Sequence, residues 1–462
     1  MKRYILKYIL LPFILFIFGC SEFVTVGPPN TKIASDLVFA DDNLANSAMA
    51  GLYSLMMETA GIANHSVTLY AGLSADEFRN YSSSAASLEF SSNALIASNS
   101  NLVALWSSAY QCIYHANLVL EGIEKSEKIS QKTRSQLQGE ARFIRAFCHF
   151  YLLNLWGDVP LVTSTDYKLN SSAKRIGKSD IYQQIIRDLQ DSQNLLSAVY
   201  AAGTRLRPDK IAATALLSRV YLYKADWTAA EKEATKIIDN PVYKLEAELS
   251  KVFLSTSSEA IFQLAPVAPN RAVIDAVSFI IQSTPGNVAI NDELMLLFGK
   301  EDLRKTAWTS SYLSGGTKYI FPYKYKITNS DGVLKEYNTV LRLAELYLIR
   351  SEARARLNDF AGAQQDLNKI RKRAGVDALY PNTMVSMLSA IESEKRVEFF
   401  AEWGHRWLDL KRTPGFENQS ITRAEELFSK TKINTWQSSD LLYPIPQSEL
   451  NKAPQLVQNP GY

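Results

Sequence analysis

Asp76, Arg79, Asn80 and Tyr81 fall within six residues of one another in a Ser- and Asn-rich stretch, and Trp308 and Tyr312 lie four apart in a second, irregular one. Together they hold what recognition of a polar organic ligand needs. Asp76 and Asn80 can hydrogen-bond hydroxyls or amides, Arg79 can fork onto a carboxylate, and Tyr81, Trp308 and Tyr312 offer flat faces. A site built from both stretches requires the fold to bring them together, which the sequence does not reveal.

The carboxylates are arranged for a different purpose. Glu345 and Glu352 are two helical turns apart, roughly 10 Å. Paired glycosidase carboxylates stand about 5–5.5 Å or 6.5–9.5 Å apart. Arg342 precedes Glu345 by three residues and Arg356 follows Glu352 by four, spacings at which helix ion pairs form. Glu394, Glu398 and Glu402 make a second row, with Lys395, Arg396, Arg406 and Arg412 as candidate counter-charges. We read Arg342, Glu345, Glu352, Glu398, Glu402 and Arg406 as a structural ion-pair network. No GxSxG, HExxH, P-loop or GxGxxG pattern occurs, and the four histidines are scattered, His405 having no second His or Cys beside it. The sequence therefore offers no catalytic residue, no metal site and no cofactor fingerprint. Of the seven tryptophans, Trp106, Trp156, Trp227, Trp403 and Trp407 sit at helical packing positions; Trp308 has no such role legible in the sequence.

The elements that position these residues centre on 340–375, two helices joined at Leu357-Asn358-Asp359, the second closing at Gly375. Residues 210–238 repeat the plan. Asp226-Trp227-Thr228-Ala229-Ala230 matches Asp359-Phe360-Ala361-Gly362-Ala363, and the stripe Ala230, Ala234, Ile237 matches Ala363, Leu367, Ile370. An acidic turn residue, an aromatic wedge and a small residue three positions later mark a tetratricopeptide-like hairpin. The fold class expected is mainly α, a tetratricopeptide-like helical hairpin scaffold with an irregular, loop-rich lobe containing a few short strands.

A chain of 462 residues with 47% hydrophobic and 11% aromatic residues is ordered and long enough for two packed lobes. Residues 1–19 read as a lipoprotein signal peptide: Lys2, Arg3 and Lys7 precede a short apolar run ending in Ile17-Phe18-Gly19-Cys20, with Cys20 the lipidation site. The apolar run is too short to span a bilayer, so membrane association is expected through the lipid alone. Losing those three cations takes the formal charge from +3 to zero, which argues against a nucleic-acid partner. Cys112 and Cys148 then form one disulfide or remain two buried thiols, the second placed first.

Residues 20–239 form an N-terminal region. Ser21 to Asn30 is a spacer, helices are expected at 41–58, 102–123, 131–156 and 179–197 (the last capped by Ser179 or Asp180), and 68–101 reads as a long polar loop. Residues 240–462 form a C-terminal region: an irregular lobe at 240–337 with strands at 260–264 and 318–326, the hairpin at 338–375, a helix at 384–403 and a Pro-rich tail from Leu441.

Along almost the whole chain the motifs resemble those of SusD/RagB outer-membrane lipoproteins. After Cys20 come Arg142-Phe143-Ile144-Arg145-Ala146-Phe147 and Leu155-Trp156-Gly157-Asp158-Val159-Pro160. Arg342-Leu343-Ala344-Glu345, Ser351-Glu352-Ala353 and Asn368-Lys369-Ile370-Arg371 follow. The series ends with Glu402-Trp403-Gly404-His405-Arg406-Trp407, Asp409-Leu410-Lys411-Arg412, Pro444-Ile445-Pro446 and Gln458-Asn459-Pro460-Gly461-Tyr462. Trp436 precedes that family framework. The resemblance implies a surface-exposed, lipid-anchored nutrient-binding protein of the outer membrane. Its partners would be an oligosaccharide or peptide ligand, glycan favoured, and a SusC-like TonB-dependent transporter. A tetratricopeptide-like protein-interaction module and a surface hydrolase are the alternatives.

Overall fold

The computed structural model describes residues 35–58, 61–198, 204–267, 272–330 and 333–462; Cys20 and the spacer expected after it lie outside these. After α1 (Ser35–Val38), α2 (Asp42–Met56) begins where the Asp41 carboxylate accepts the Asn43 and Leu44 amides. α3 (Ser66–Ser74), β1 (Phe78–Asn80) and α4 (Ala85–Ser92) lead into two long helices, α5 (Ser100–Lys125) and α6 (Gln131–Trp156). β2 (Val159–Pro160), α7 (Tyr167–Ser171) and β3 (Arg175–Ile176) connect to α8 (Lys178–Leu195), and the hairpin α9 (Lys210–Tyr223) and α10 (Trp227–Ile238) follows. Then come β4 (Ala260–Leu264), α11 (Ile274–Phe279), β5 (Val288–Ile290), α12 (Asp292–Leu297), α13 (Leu303–Trp308), β6 (Thr309–Ser314), β7 (Thr317–Pro322) and β8 (Asn338–Arg342). The chain closes with α14 (Leu343–Arg356), α15 (Phe360–Arg373), α16 (Met384–Glu398), α17 (His405–Arg412), α18 (Arg423–Thr431) and α19 (Gln447–Lys452).

Helices α5, α6, α8, α9, α10, α14 and α15 pack each on the next, so α14 continues the row from α10 across the intervening strands. The two hairpins are built alike. Asp226 and Asp359 accept the amides of Ala229 and Gly362, and Ala225 (φ 62°) and Asn358 (φ 65°) make the turns in left-handed backbone. The Ser218 hydroxyl donates to the Ala230 carbonyl at 2.9 Å and Ser351 donates to Ala363 at 2.8 Å, drawing the paired helices together. One continuous core runs from Phe39 to Ile445, and a smaller cluster fills the space between α14, α15 and α16.

Four expectations change. Residues 68–101 are not a long loop but α3, β1 and α4; β1 pairs antiparallel with β5 some two hundred residues on, a partner local sequence cannot announce. Residues 338–342 are strand β8, fully buried beside β4, rather than the first turn of a helix. The helix expected to 403 ends at Glu398, and a turn with left-handed Ala401, Trp403 and Gly404 separates α16 from α17. α8 is capped by neither Ser179 nor Asp180: Gly177 takes the cap position and Asp158 accepts the Lys178 amide at 2.9 Å. Cys112 and Cys148 are free, buried thiols; their mutual hydrogen bond, then burial, push the Cys148 thiol up.

Candidate functional site

The charged rows settle first. Glu345 does not pair with Arg342; it receives the Arg219 guanidinium from α9 (2.7 Å). Glu352 takes Lys395 (2.6 Å) and both terminal nitrogens of Arg412 (2.7 and 2.8 Å), leaving Arg356 over the Trp227 ring at 5.4 Å. Arg342 instead bridges Glu259 (2.8 Å), Glu398 (2.7 Å) and Glu402 (2.8 Å). Arg304 adds Asp302, Glu394 and Glu398, Arg371 reaches Glu394, Arg373 reaches Glu259 and Glu398, and Lys324 reaches Glu402. Arg406 joins none of these; its Nε donates to the Ala75 carbonyl at 2.9 Å.

Apart from Arg304 with its cap residue Asp302, the pairs thus run between elements rather than along one helix, because buried ions must be neutralised from whatever packs against them. Burial opposes ionisation of Glu398, yet Arg373, Arg342 and Arg304 hold it well below the usual carboxylate range. Burial and the nearby Arg219 and Lys395 push the His405 imidazole down, so it stays neutral.

The ligand-facing candidates divide. Trp308 is wholly buried: its indole N–H donates to the Leu249 carbonyl at 2.9 Å, its ring meets Phe253 edge-on, and the Lys324 ammonium lies 4.7 Å from its centroid. The expectation of an exposed flat face at Trp308 is corrected, since the segment before β6 turns into the core as helix α13. Asp76, in left-handed backbone (φ 53°), is tied to Lys432 at 2.7 Å. Asn80 accepts the Ser82 amide at 2.9 Å and donates to Ser91, shaping its own loop. Arg79 stays exposed, 3.4 Å from an equally open Asp292.

Tyr81 and Tyr312 each neighbour a third tyrosine, Tyr319. β6 and β7 form a hairpin turned by Gly315 (φ 56°) and Gly316 (φ 79°), the positive-φ pair that a two-residue turn requires. Tyr312 stands directly opposite Tyr319, so both rings share one face. Tyr81, just past β1, meets Tyr319 edge-on with centroids 5.3 Å apart, and its amide donates to the Asn287 carbonyl at 2.7 Å. The three half-buried tyrosines form a hydroxyl-bearing aromatic face, with exposed Arg79 two residues before Tyr81 on β1. Tyr319 was missed by sequence reasoning, although a two-glycine turn between Tyr312 and Tyr319 is the signal that could have placed it.

Comparison with known proteins gives three findings. A family model described as starch-binding, associating with the outer membrane, matches residues 26–222, and the SusD family model matches 294–462. A SusD-like protein of Formosa agariphila is 25% identical over 96% of this chain and 97% of its own. Among solved structures, a SusD superfamily protein from Bacteroides vulgatus superposes with TM-score 0.78 at 20% identity, covering 92% of this chain and 100% of that one. A laminarin-binding SusD-like protein superposes at 0.75 and 24%, covering 91% and 99%. Among the described residues no helix is long and apolar enough to cross a membrane.

Proposed function

Because the chain belongs to the SusD/RagB family, we propose that it captures an oligosaccharide on its tyrosine face and hands it to a SusC-like TonB-dependent transporter. The single observation behind the ligand half of this reading is the convergence of Tyr81, Tyr312 and Tyr319 from two sheets. Sugar rings present apolar C–H faces that stack on aromatic rings, and hydroxyls that the phenols and Arg79 can bond. The starch-binding description of the matched model and the laminarin-binding neighbour favour a glycan over a peptide. Lipidation at Cys20 would hold the protein on the outer face of the outer membrane. The surface-hydrolase alternative draws no support from the charged rows, whose carboxylates are already bound to cations.

Calorimetric titration with laminari-, malto- and xylo-oligosaccharides tests the reading. Tyr81→Ala and Tyr319→Ala should each weaken the best binder by about 1–3 kcal/mol, as loss of ring stacking does, with the melting temperature nearly unchanged. Trp308→Ala should separate from them by a stability loss of about 3–5 kcal/mol, the cost of emptying a core site. Wild-type affinity in both tyrosine variants overturns the site.

A further inference from the structure

The end of α6, the start of α8, helix α17 and the last residues of the chain enclose an open cleft of about 1100 Å³, sharing no residue with the tyrosine face. Leu408, Leu442 and Val457 give it apolar surface, and its charges are one-sided. Lys174, Arg175, Lys178, Lys411 and Arg412 line it, against Asp158 as the one carboxylate. Arg412 is neutralised by Glu352 and Asp409. The other four cations stand within ion-pair distance of no carboxylate among the described residues.

The groups that the Arg175 and Lys411 side chains touch are neutral. Arg175 donates to the carbonyls of Asp158 and Val457, both at 2.7 Å, and to the Asn459 side-chain oxygen. Lys411 donates to the Asn154 carbonyl at the end of α6, with the Trp407 and Tyr443 ring centroids 5.2 and 5.8 Å away. Burial, reinforced by repulsion from Lys178, pushes the Lys411 ammonium down to about 7. Partial burial also lowers Arg175, against the attraction of Asp158. Desolvated cations without a counter-charge are costly, and charge-assisted hydrogen bonds to an entering anion relieve that cost. A mostly apolar pocket with a few convergent polar groups of perturbed pKa is also the general form of a small-ligand site.

We propose that this cleft is a second ligand site, selective for an organic anion: a carboxylate or sulfate ester on a body with an apolar face. An acidic sugar within a glycan and a free small acid both carry that chemistry.

The test titrates the full mature chain with tri-galacturonate, free galacturonate and maltotriose. Tri-galacturonate should bind, more weakly as salt rises, and Lys174→Gln with Lys178→Gln should weaken it by at least about tenfold, equivalent to 1.4 kcal/mol. Both lysines are exposed, so the melting temperature of this double variant should hold, and Tyr81→Ala should leave acid binding intact. Tighter binding of the trimer than of the monomer assigns a glycan; equal binding assigns a small acid. The proposal is overturned if neither acid binds, or if the double variant binds the acids as the wild type does. Either result leaves the tyrosine site untouched, as that site is read with neutral oligosaccharides.

Discussion

Replacing Arg342 with methionine should cost about 3–5 kcal/mol, the price of breaking a buried ion pair from one side. Five buried carboxylates, Glu259, Asp302, Glu394, Glu398 and Glu402, face five cations, Arg304, Lys324, Arg342, Arg371 and Arg373. Methionine keeps most of the aliphatic volume and removes one positive charge, leaving the cluster one negative in excess. No carboxylate is stranded. Glu398 retains Arg304 and Arg373, Glu259 retains Arg373, and Glu402 retains Lys324. The loss should therefore stop short of unfolding a domain whose net stability is about 5–15 kcal/mol. Urea unfolding at neutral pH reads it. Glu402→Gln, costly in the wild type, should be milder in the Arg342→Met background because it removes the surplus charge, with a coupling of about 0.5–3 kcal/mol. Acid adds a second reading. Since Glu398 ionises well below its ordinary value of 4.5, its stabilisation is present above pH 4.5 and fades as pH falls further. Without Arg342 the folded-state value rises, so the fading should be smaller and should finish closer to 4.5. A loss under about 1 kcal/mol, or Glu402→Gln equally harmful in both backgrounds, refutes the view that Arg342 holds the cluster together.

Two further outcomes are expected. Glu77 is buried, with Oε1 unpartnered, and burial lifts its pKa from 4.5 to about 7 against the pull of Arg406, Lys324 and Arg396. A raised carboxyl stabilises fully below pH 4.5 and loses that contribution as pH rises through 7, about 3 kcal/mol in all. Glu77→Gln should remove that slope from denaturation curves taken between pH 4.5 and 8; superimposable slopes would show that Glu77 ionises normally. Cys20→Ala should move the protein from the membrane to the soluble fraction, and persistence in membranes after a high-salt wash would place the anchor elsewhere.

The helical half of the fold was legible because its signals are local. α6 falls on the expected residues 131–156, and the Asp226 and Asp359 caps stand where the repeat puts them. What went unread depends on distant partners. β1 is three residues long and has meaning only beside β5, and the apolar run 338–342 fits helix or strand until β4 lies against it. The ion pairs failed in the same way: Glu345 and Glu352 have cations at helix spacing, yet the fold supplies Arg219, Lys395 and Arg412 from elsewhere. The rows were read as one structural network; the structure pairs these carboxylates with cations from other elements and leaves Arg406 outside the pairs.

The misplacement of Trp308 also explains how the tyrosine face is held. The β6–β7 hairpin leaves the core at Trp308 and returns to it at Lys324, and its base is closed by the Tyr323 amide donating to the Trp308 carbonyl at 2.7 Å. Both ends are fixed in the buried charge cluster. The Lys324 ammonium donates to the Glu398 carbonyl at 2.8 Å and to Glu402, while the Arg342 and Arg373 guanidinium carbons lie 5.9 and 5.6 Å from the Trp308 ring. The tyrosines therefore project from a hairpin clamped at its root, and Tyr81 meets Tyr319 from a strand whose own partner, β5, contacts β7. Rigid support of this kind reduces the ordering cost of binding. Trp308 acts beneath the proposed site, holding the root of the hairpin whose tip carries Tyr312 and Tyr319.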